Sequence, residues 1–483
     1  MRKLVLSLVF LVTVGILAYI TVLSKSYQPN LLEVYSTNVK CTSEFEHLFD
    51  HNNFREFKIV ISQEEWDGMS QDMEDYFRID QSMRVGTYRK ADIYYTDNYG
   101  ESVIKDVGIH TKGNTTRVVP ETNGKINRFN FKLKFDETFS EIEGTDTYIN
   151  LNNREFADLS ELNFKFNNGS DQSLIHEIFA YDLFNSAGVN TVKASLATVI
   201  VVIDGKEYDY GVYTIIEPID KKFLKKRYGK DRDEGNLYKC LWQNYGPASL
   251  ERIRDKSAVG IKNWKYNYRP AYDLKTNKNK ADHQVLYDFI DNINLLEGDL
   301  FKDYIEENFD VDMFLRYLAM GILVGGPDDY RAMGNNYYLY FNNDGKIALL
   351  PYDYDNSFGA GWGGEPATNY VGLLNADIYK YISIDSVLSK GKVRKPLVDK
   401  ILEIDAYREK YEDYLEILVD SSNNYFTYSK FEETFNRLNR VYGEHTSNYF
   451  NTSLKMKLST ENQYFKKKIA SVTSQLEEAN SNE

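Results

Sequence analysis

Two acidic stretches in the C-terminal half carry residue types that hold a hard cation. One is GGPDDYRAMGNN, with Asp328, Asp329 and Asn336. The other is LLPYDYDNSFG, residues 349–359, with Asp353 and Asp355. Carboxylate and amide oxygens suit Mg²⁺, Mn²⁺ or Ca²⁺. Carboxylates gathered in one place repel one another unless a cation sits between them. Phosphoryl transfer needs such a set: oxygens that hold metal on a nucleotide, and a carboxylate that takes the proton of the attacking hydroxyl. Asp and Asn are also ordinary loop residues, and Asp328 and Asp329 suit a turn cap equally well.

The element that must bring these residues together is a hairpin. NNYYLYFNNDGKIALLPYDYD reads as two strands turning at Asn343-Asp344-Gly345. Antiparallel pairing returns the chain to its starting point, so Asp328, Asp329 and Asn336 are expected to meet Asp353 and Asp355 at one end of the ribbon. Alternation along an extended strand would aim Asp353 and Asp355 to the same side. Upstream, REFKIVISQEEWDGM reads as a strand and a helix start, with Ser62 as N-cap and Glu65 three residues on. A hairpin follows, turning at Asp97-Asn98-Tyr99-Gly100, and then the half-exposed strand NRFNFKLKFDE, with Lys132 and Lys134 on one face. DQSLIHEIFAYDLFNSAGV (171–189) has helical spacing, and SLATVIVVIDGKEYDYGVYTIIEPID turns at Asp204-Gly205. The tail from Leu397 to Glu478 reads as helical. The fold class is α+β, strand-rich first and helix-rich second, with one hairpin set into the helical half.

The bulk numbers narrow the function. A chain of 483 residues, 42% hydrophobic and 27% charged, has the material for a sizeable core. Its net charge of −14 argues against a nucleic-acid partner, because phosphate backbones require clustered Lys and Arg. It is compatible with cations or a basic protein substrate. The two cysteines, Cys41 and Cys240, make no CxxC pair, so a cysteine zinc site is excluded; one disulfide or two separate thiols remain open, with separate thiols favoured. After Arg2 and Lys3, residues 4–23 are uncharged and long enough to cross a bilayer. The flanking charges place the remainder outside the cytoplasm, and no A-x-A-like site follows, so a signal anchor is favoured over a cleaved signal peptide. The expected organisation is an anchor or signal at 1–25, a tether at 26–53, a strand-rich lobe at 54–240 and a helical lobe at 241–483.

Several stretches in order resemble the CotH kinase family, the atypical protein kinases similar to spore coat protein H. They are GIHTKGNTTR (108–117), FKLKFDE (131–137), YINLNN (148–153), DQSLIHEIFAYDLFNSAGV (171–189), YGVYTIIEPIDKKFLKKRYG (210–229), GNLYK (235–239), DDYRAMGNNYYLY and LLPYDYDNSFG. The resemblance spans about residues 54–360. It implies a two-lobed, protein-kinase-like fold that uses ATP with Mg²⁺ or Mn²⁺ (Ca²⁺ as an alternative) to phosphorylate serines of protein substrates. By position, Asp328 resembles the catalytic aspartate, Asn336 the metal-binding asparagine and Asp353 the metal aspartate, with Asp355 beside it. Lys132 is similarly placed to reach ATP phosphates. The interval from Asp328 to Asn336 is longer than in the shortest family loops, which makes Asp329 a rival base, and Tyr352 stands where the family has tryptophan. The G-x-G-x-x-G and H-R-D strings of ordinary kinases are absent.

Three further features bear on the cleft. KGNTTR offers backbone amides, hydroxyls and Lys112 to cradle phosphates, or else a turn in which glycine supplies a positive φ. Glu217 in TIIEPID is expected between the two halves, near the adenine or paired with a lysine, or else as a surface glutamate at a strand end. His47 and His51 stand at HxxxH spacing, but Leu48 replaces the glutamate of a zinc hydrolase. The leading reading is a kinase of exported or spore-coat proteins, anchored through residues 4–23 or secreted to the spore surface. The rivals are a non-catalytic, metal-stabilised surface module and a nucleotide-sugar transferase, since Asp-x-Asp also suits a sugar-nucleotide diphosphate.

Overall fold

Strict alternation of buried and half-buried residues in REFKIVI makes β1 (Arg55–Ile61), which turns Phe57, Ile59 and Ile61 inward. Ser62 stops the strand: its side chain accepts from Glu65 N and caps helix α2 (Gln63–Asp80), as its position before Glu65 implies. The computed structural model describes residues 41–481 except 114–115, 167–170, 281, 344–345, 362–372, 381–393, 446–449 and 451–455. The expected anchor, most of the tether, Asn114 and Thr115 of KGNTTR, and the Asp344-Gly345 turn lie outside the described residues. Among the described residues no helix is long and apolar enough to cross a membrane.

The last part of the expected tether is structured. Helix α1 (Ser43–Phe49), capped by Thr42, buries Phe45, Leu48 and Phe49 in the same core as β1. Three large apolar side chains in seven residues outweigh the polar composition around them.

The remaining strands are β2 (Arg89–Asp97), β3 (Gly100–Thr111), β4 (Glu121–Thr122), β5 (Lys125–Ile126), β6 (Phe131–Lys134), β7 (Glu161–Lys165), β8 (Ala194–Ile203), β9 (Lys206–Ile216), β10 (Asn236–Cys240), β11 (Val259–Gly260), β12 (Tyr272–Leu274), β13 (Tyr337–Phe341) and β14 (Ile347–Pro351). Seven of them close a barrel in the order β1-β2-β3-β6-β7-β9-β8; the β1–β8 pair is parallel and the rest are antiparallel. Aromatic rings fill it. Phe131 stacks on Phe164 with centroids 4.5 Å apart, and Phe57 meets Phe164 edge-on at 5.0 Å. The hairpins expected around Asp97–Gly100 and Asp204-Gly205 are β2–β3 and β8–β9.

A second sheet has the order β11-β12-β10-β13-β14. β10 pairs with β13, Tyr238 opposite Leu339. The remaining helices are α3 (Asp146–Asn152), α4 (His176–Ser186), α5 (Lys221–Tyr228), α6 (Gln284–Leu295), α7 (Gly298–Asn308), α8 (Val311–Val324), α9 (Tyr330–Met333), α10 (Pro396–Leu402), α11 (Asp405–Val419), α12 (Tyr428–Tyr442) and α13 (Glu461–Ser481). The strand-rich first half and helix-rich second half match the expected α+β class. Cys41 and Cys240 form no disulfide.

Candidate functional site

The β13–β14 hairpin delivers the acidic residues as antiparallel pairing requires. Tyr337 lies opposite Pro351, so Asn336 and Tyr352 flank the open end, where Tyr352 N donates to Asn336 O at 3.2 Å. Asn336 Nδ2 donates to Asp328 Oδ2 at 2.8 Å. Asn336 and Asp353 both adopt left-handed backbone, with φ of 52° and 65°. Among residues with a Cβ, Asn and Asp adopt that conformation most readily, because their short polar side chains hydrogen-bond locally.

Asp353 and Asp355 do converge, but not through strand alternation, because β14 ends at Pro351. They meet on a lysine. Lys165 Nζ, from the end of β7, lies 2.7 Å from Asp353 Oδ1, 3.1 Å from Asp355 Oδ2 and 2.7 Å from Glu177 Oε2. Glu177 sits in the first turn of α4 and is buried. Tyr181, one turn later, donates from its hydroxyl to Glu177 Oε1 at 2.8 Å and accepts from Asp353 N at 2.9 Å. A strand lysine, a helix glutamate and the aspartate after a hairpin are thereby fixed relative to one another.

Carboxylate oxygens of Glu177, Asp353 and Asp355 lie within 4.8 Å of one another. Oxygen donors of this kind and spacing fit a hard divalent cation, and the Lys165 ammonium supplies balancing charge between them. Burial pushes Asp328 well above the usual carboxylate range, and the charges of Asp353 and Asp355 add to that. Burial also works to raise Asp353, but Lys165 outweighs it and holds Asp353 below its ordinary value. Glu177 is pushed up to about 7 by burial, against the pull of Lys165. Lys165 is held well above its ordinary value: burial opposes its charge, and Asp353, Asp355 and Glu177 more than compensate. The carboxyls of one cluster are thus driven apart in proton affinity, the condition for acid–base division of labour.

Lys165, Asp328, Asp353 and Asp355 line a cavity of about 1490 Å³ that also takes in Lys112, Lys132, Lys239 and Lys275, with Glu177 buried behind Lys165. Its described lining carries fourteen Lys and Arg against nine Asp and Glu, a basic cleft in a chain of net charge −14. Burial, with Lys165 and Lys132 nearby, pulls Lys112 down to about 7. Lys239 stands 4.4 Å over the Tyr352 ring and is held well below its ordinary value by burial and by Lys275. Crowded, partly deprotonated amines are relieved by an anion, so the cleft favours a polyanionic ligand.

The expected site residues divide. Asp328, Asn336, Asp353, Asp355, Lys112 and Lys132 all line this cavity. Lys132 pairs with Glu161 at 2.6 Å on its rim. Two do not belong to it. Asp329, 4% exposed, caps α9 through Ala332 N at 2.8 Å and accepts from the Tyr317 and Tyr354 hydroxyls at 3.3 Å, so its carboxylate is engaged within the fold. Glu217 is fully buried against Arg227, with contacts of 2.7 and 3.1 Å, and also accepts from Lys193 N. Arg227 ties α5 to the end of β9 as the nearer cation, and Lys226 Nζ stands 3.7 Å from Glu217 Oε1, so the pairing with a lysine is present beside a closer arginine. His47 stacks on Tyr99 while His51 bonds Asp182 and Ser195, so HxxxH is chance spacing.

Lys165 and Glu177 escaped the sequence reading. The available signal was Glu177 itself: an acid inside the apolar run of IHEIFAY, where burial requires a partner.

A family model described as CotH kinase protein matches residues 109–477, more than half of the chain. A curated relative, the inner spore coat protein H of Bacillus subtilis (strain 168), is 29% identical over 203 residues, which are 42% of this chain and 51% of that protein. The chain thus spans about half the length of the curated relative it matches.

Proposed function

The chain belongs to the CotH kinase protein family, and from that premise we propose that it is a protein kinase that uses ATP and a divalent metal to phosphorylate serines of spore-coat or other exported proteins. The observation that carries this reading is the Lys165–Glu177 pair beside Asp353, facing a basic cavity that also holds Asp328 and Asn336. A strand lysine paired to a helix glutamate, next to a metal-binding aspartate, is the arrangement by which kinases hold nucleotide phosphates.

In this reading Lys165, oriented by Glu177, holds the phosphates, and Lys112 and Lys132 meet their remaining charge. Asp353 and Asn336, with Asp355, would hold the metal, which when bound neutralises the phosphate oxygens. Asp328, its proton affinity raised by burial and neighbouring carboxylates, orients the serine hydroxyl and accepts its proton. Residues 4–23 anchor the chain in a membrane, with the kinase outside the cytoplasm. The spore-coat assignment draws on the printed name of the Bacillus relative.

The test is transfer of γ-labelled phosphate from ATP to serine-containing coat protein by the purified full chain, with Mg²⁺ or Mn²⁺ and with chelator. Metal-dependent serine labelling that vanishes in Asp328→Ala and Asp353→Asn is expected. The Lys165 cluster also favours a second reading, a non-catalytic module, since one ammonium already bridges its three carboxylates without a metal. ATP binding with no transfer would establish that second reading. Turnover of a sugar nucleotide with indifference to ATP would replace both.

A further inference from the structure

The C-terminal helix α13 contacts three of the segments that build the cleft. Glu461, in its first turn, places Oε1 3.2 Å from Nε2 of His176, the first residue of α4 and the neighbour of Glu177. Phe465 stacks on Phe358, centroids 5.5 Å apart and planes 16° apart; Phe358 lies three residues beyond Asp355. Tyr464 donates from its hydroxyl to Leu323 O at 2.9 Å, at the end of α8, five residues before Asp328. Gly325 is required there, since a Cβ on it would stand 2.2 Å from the Tyr464 oxygen and its φ is 68°.

The packing is dry and specific. His176 and Glu461 are 4% and 1% exposed, and Phe358 and Phe465 are each 1% exposed. The start of α4 has no side-chain cap at Ile175; Asp171 accepts His176 N instead and sets its Oδ1 3.5 Å from the imidazole Nε2, which lies closer, at 3.2 Å, to Glu461 of α13. Phe358 holds left-handed backbone at φ 54° and donates its N–H to Val324 O at 2.8 Å, so the loop after Asp355 closes onto α8 and α13 together.

We propose that α13 is a positioning element for the cleft: Glu461 acts through His176 on Glu177 and hence on Lys165, and Phe465 acts through Phe358 on the loop carrying Asp353 and Asp355. Neither residue touches substrate. A displacement of α4 by a fraction of an ångström loosens the Lys165–Glu177 contact while leaving the cavity and its cations in place. Reaction geometry suffers from such shifts far more than binding does.

The proposal rests on the kinase reading for its kinetic test, so two readouts are taken on the full chain. One is steady-state phosphoryl transfer. The other is reductive methylation of Lys165, quantified by peptide mass spectrometry, which needs no activity. Glu461→Ala is expected to lower kcat by about tenfold or more with the KM for ATP within about twofold, and to speed Lys165 methylation several-fold. Glu461→Gln, which keeps an acceptor oxygen opposite His176, should restore most of kcat, and Glu477→Ala, on the exposed side of α13, should match the unmodified chain. Folded Glu461→Ala with unchanged kcat and unchanged Lys165 reactivity overturns the proposal. If Glu461→Ala does not fold, Phe465→Leu carries the same pair of measurements, and unchanged Lys165 reactivity there overturns it. If the unmodified chain transfers no phosphate, the kinase reading fails, and the Lys165 comparison still decides the positioning role.

Discussion

Glu217 and Glu177 are both buried glutamates bound to a cation from another segment, and they end in opposite situations. Glu217 meets Arg227 end-on through both oxygens, with the Lys193 N–H and, at 3.7 Å, Lys226 Nζ completing its shell, and the Glu217 and Arg227 side chains are wholly buried. Glu177 shares one ammonium with Asp353 and Asp355, whose side chains are 37% and 36% exposed to the cavity. The first knot is closed and locally balanced. The second has three carboxylates to one lysine and an open side. A matched, sealed pair holds elements together; a mismatched cluster at a cavity wall retains the capacity to exchange partners when a ligand enters.

The largest effect that should separate the two knots is on transfer. Asp353→Asn keeps size and hydrogen bonding but removes the charge that meets metal, and it is expected to lower kcat on the order of 10³-fold, read by serine labelling, with thermal stability nearly unchanged. Glu217→Gln should do the reverse. It leaves Arg227 buried without a counter-charge, so the fold loses about 3–5 kcal/mol in urea titration, while transfer per folded molecule at low temperature is preserved. A catalytic collapse in Glu217→Gln without destabilisation would erase the contrast.

The difference also explains what could be read from the sequence. Asp328, Asn336 and Asp353 were legible because one hairpin, local in the chain, brings them together. Lys165 and Glu177 were not, because their contact depends on where barrel closure sets the end of β7 against α4, a long-range outcome with no periodicity of its own. Glu217 was legible only in part for the same reason: a cationic partner such as Lys226 was anticipated, and the closer, two-pronged contact with Arg227 and its burial were not. The tether was drawn too long because composition, averaged over many polar residues, concealed the three buried side chains of α1.

A smaller effect sharpens the electrostatic side. With Lys112 pulled from 10.5 to about 7 by burial and by neighbouring lysines, the empty fold favours its neutral form. Its stability contribution is therefore present above the unfolded pKa and is lost as pH falls from 10.5 through 7. A triphosphate restores the charge, so binding takes up a proton above pH 7. ATP affinity by calorimetry should weaken as pH rises from about 7 to 9, with proton uptake visible as a buffer-dependent heat. Lys112→Gln should bind more weakly at pH 6 and lose most of that slope. A slope equal to that of the unmodified chain would assign the proton elsewhere in the cleft.

The smallest expected effect belongs to the pair that sequence left tied, Asp328 and Asp329. They are adjacent, yet the start of α9 turns them to different tasks: Asp328 faces Asn336 and the cavity, and Asp329 is spent on Ala332 N and two tyrosine hydroxyls. Asparagine caps a helix about as well as aspartate, and tyrosine hydroxyls can either donate to an amide oxygen or accept from an amide nitrogen. Asp329→Asn should therefore move stability by no more than about 1 kcal/mol and leave serine labelling nearly unchanged, whereas Asp328→Asn, equally conservative in shape, abolishes it. Removing the carboxylate at 329 matters only if that oxygen reaches a substrate proton, and both of its oxygens are already engaged, one by Ala332 N and the other by two tyrosine hydroxyls. Equal loss in both variants would mean that α9 unwinds when substrate binds and that the cap is part of the chemistry.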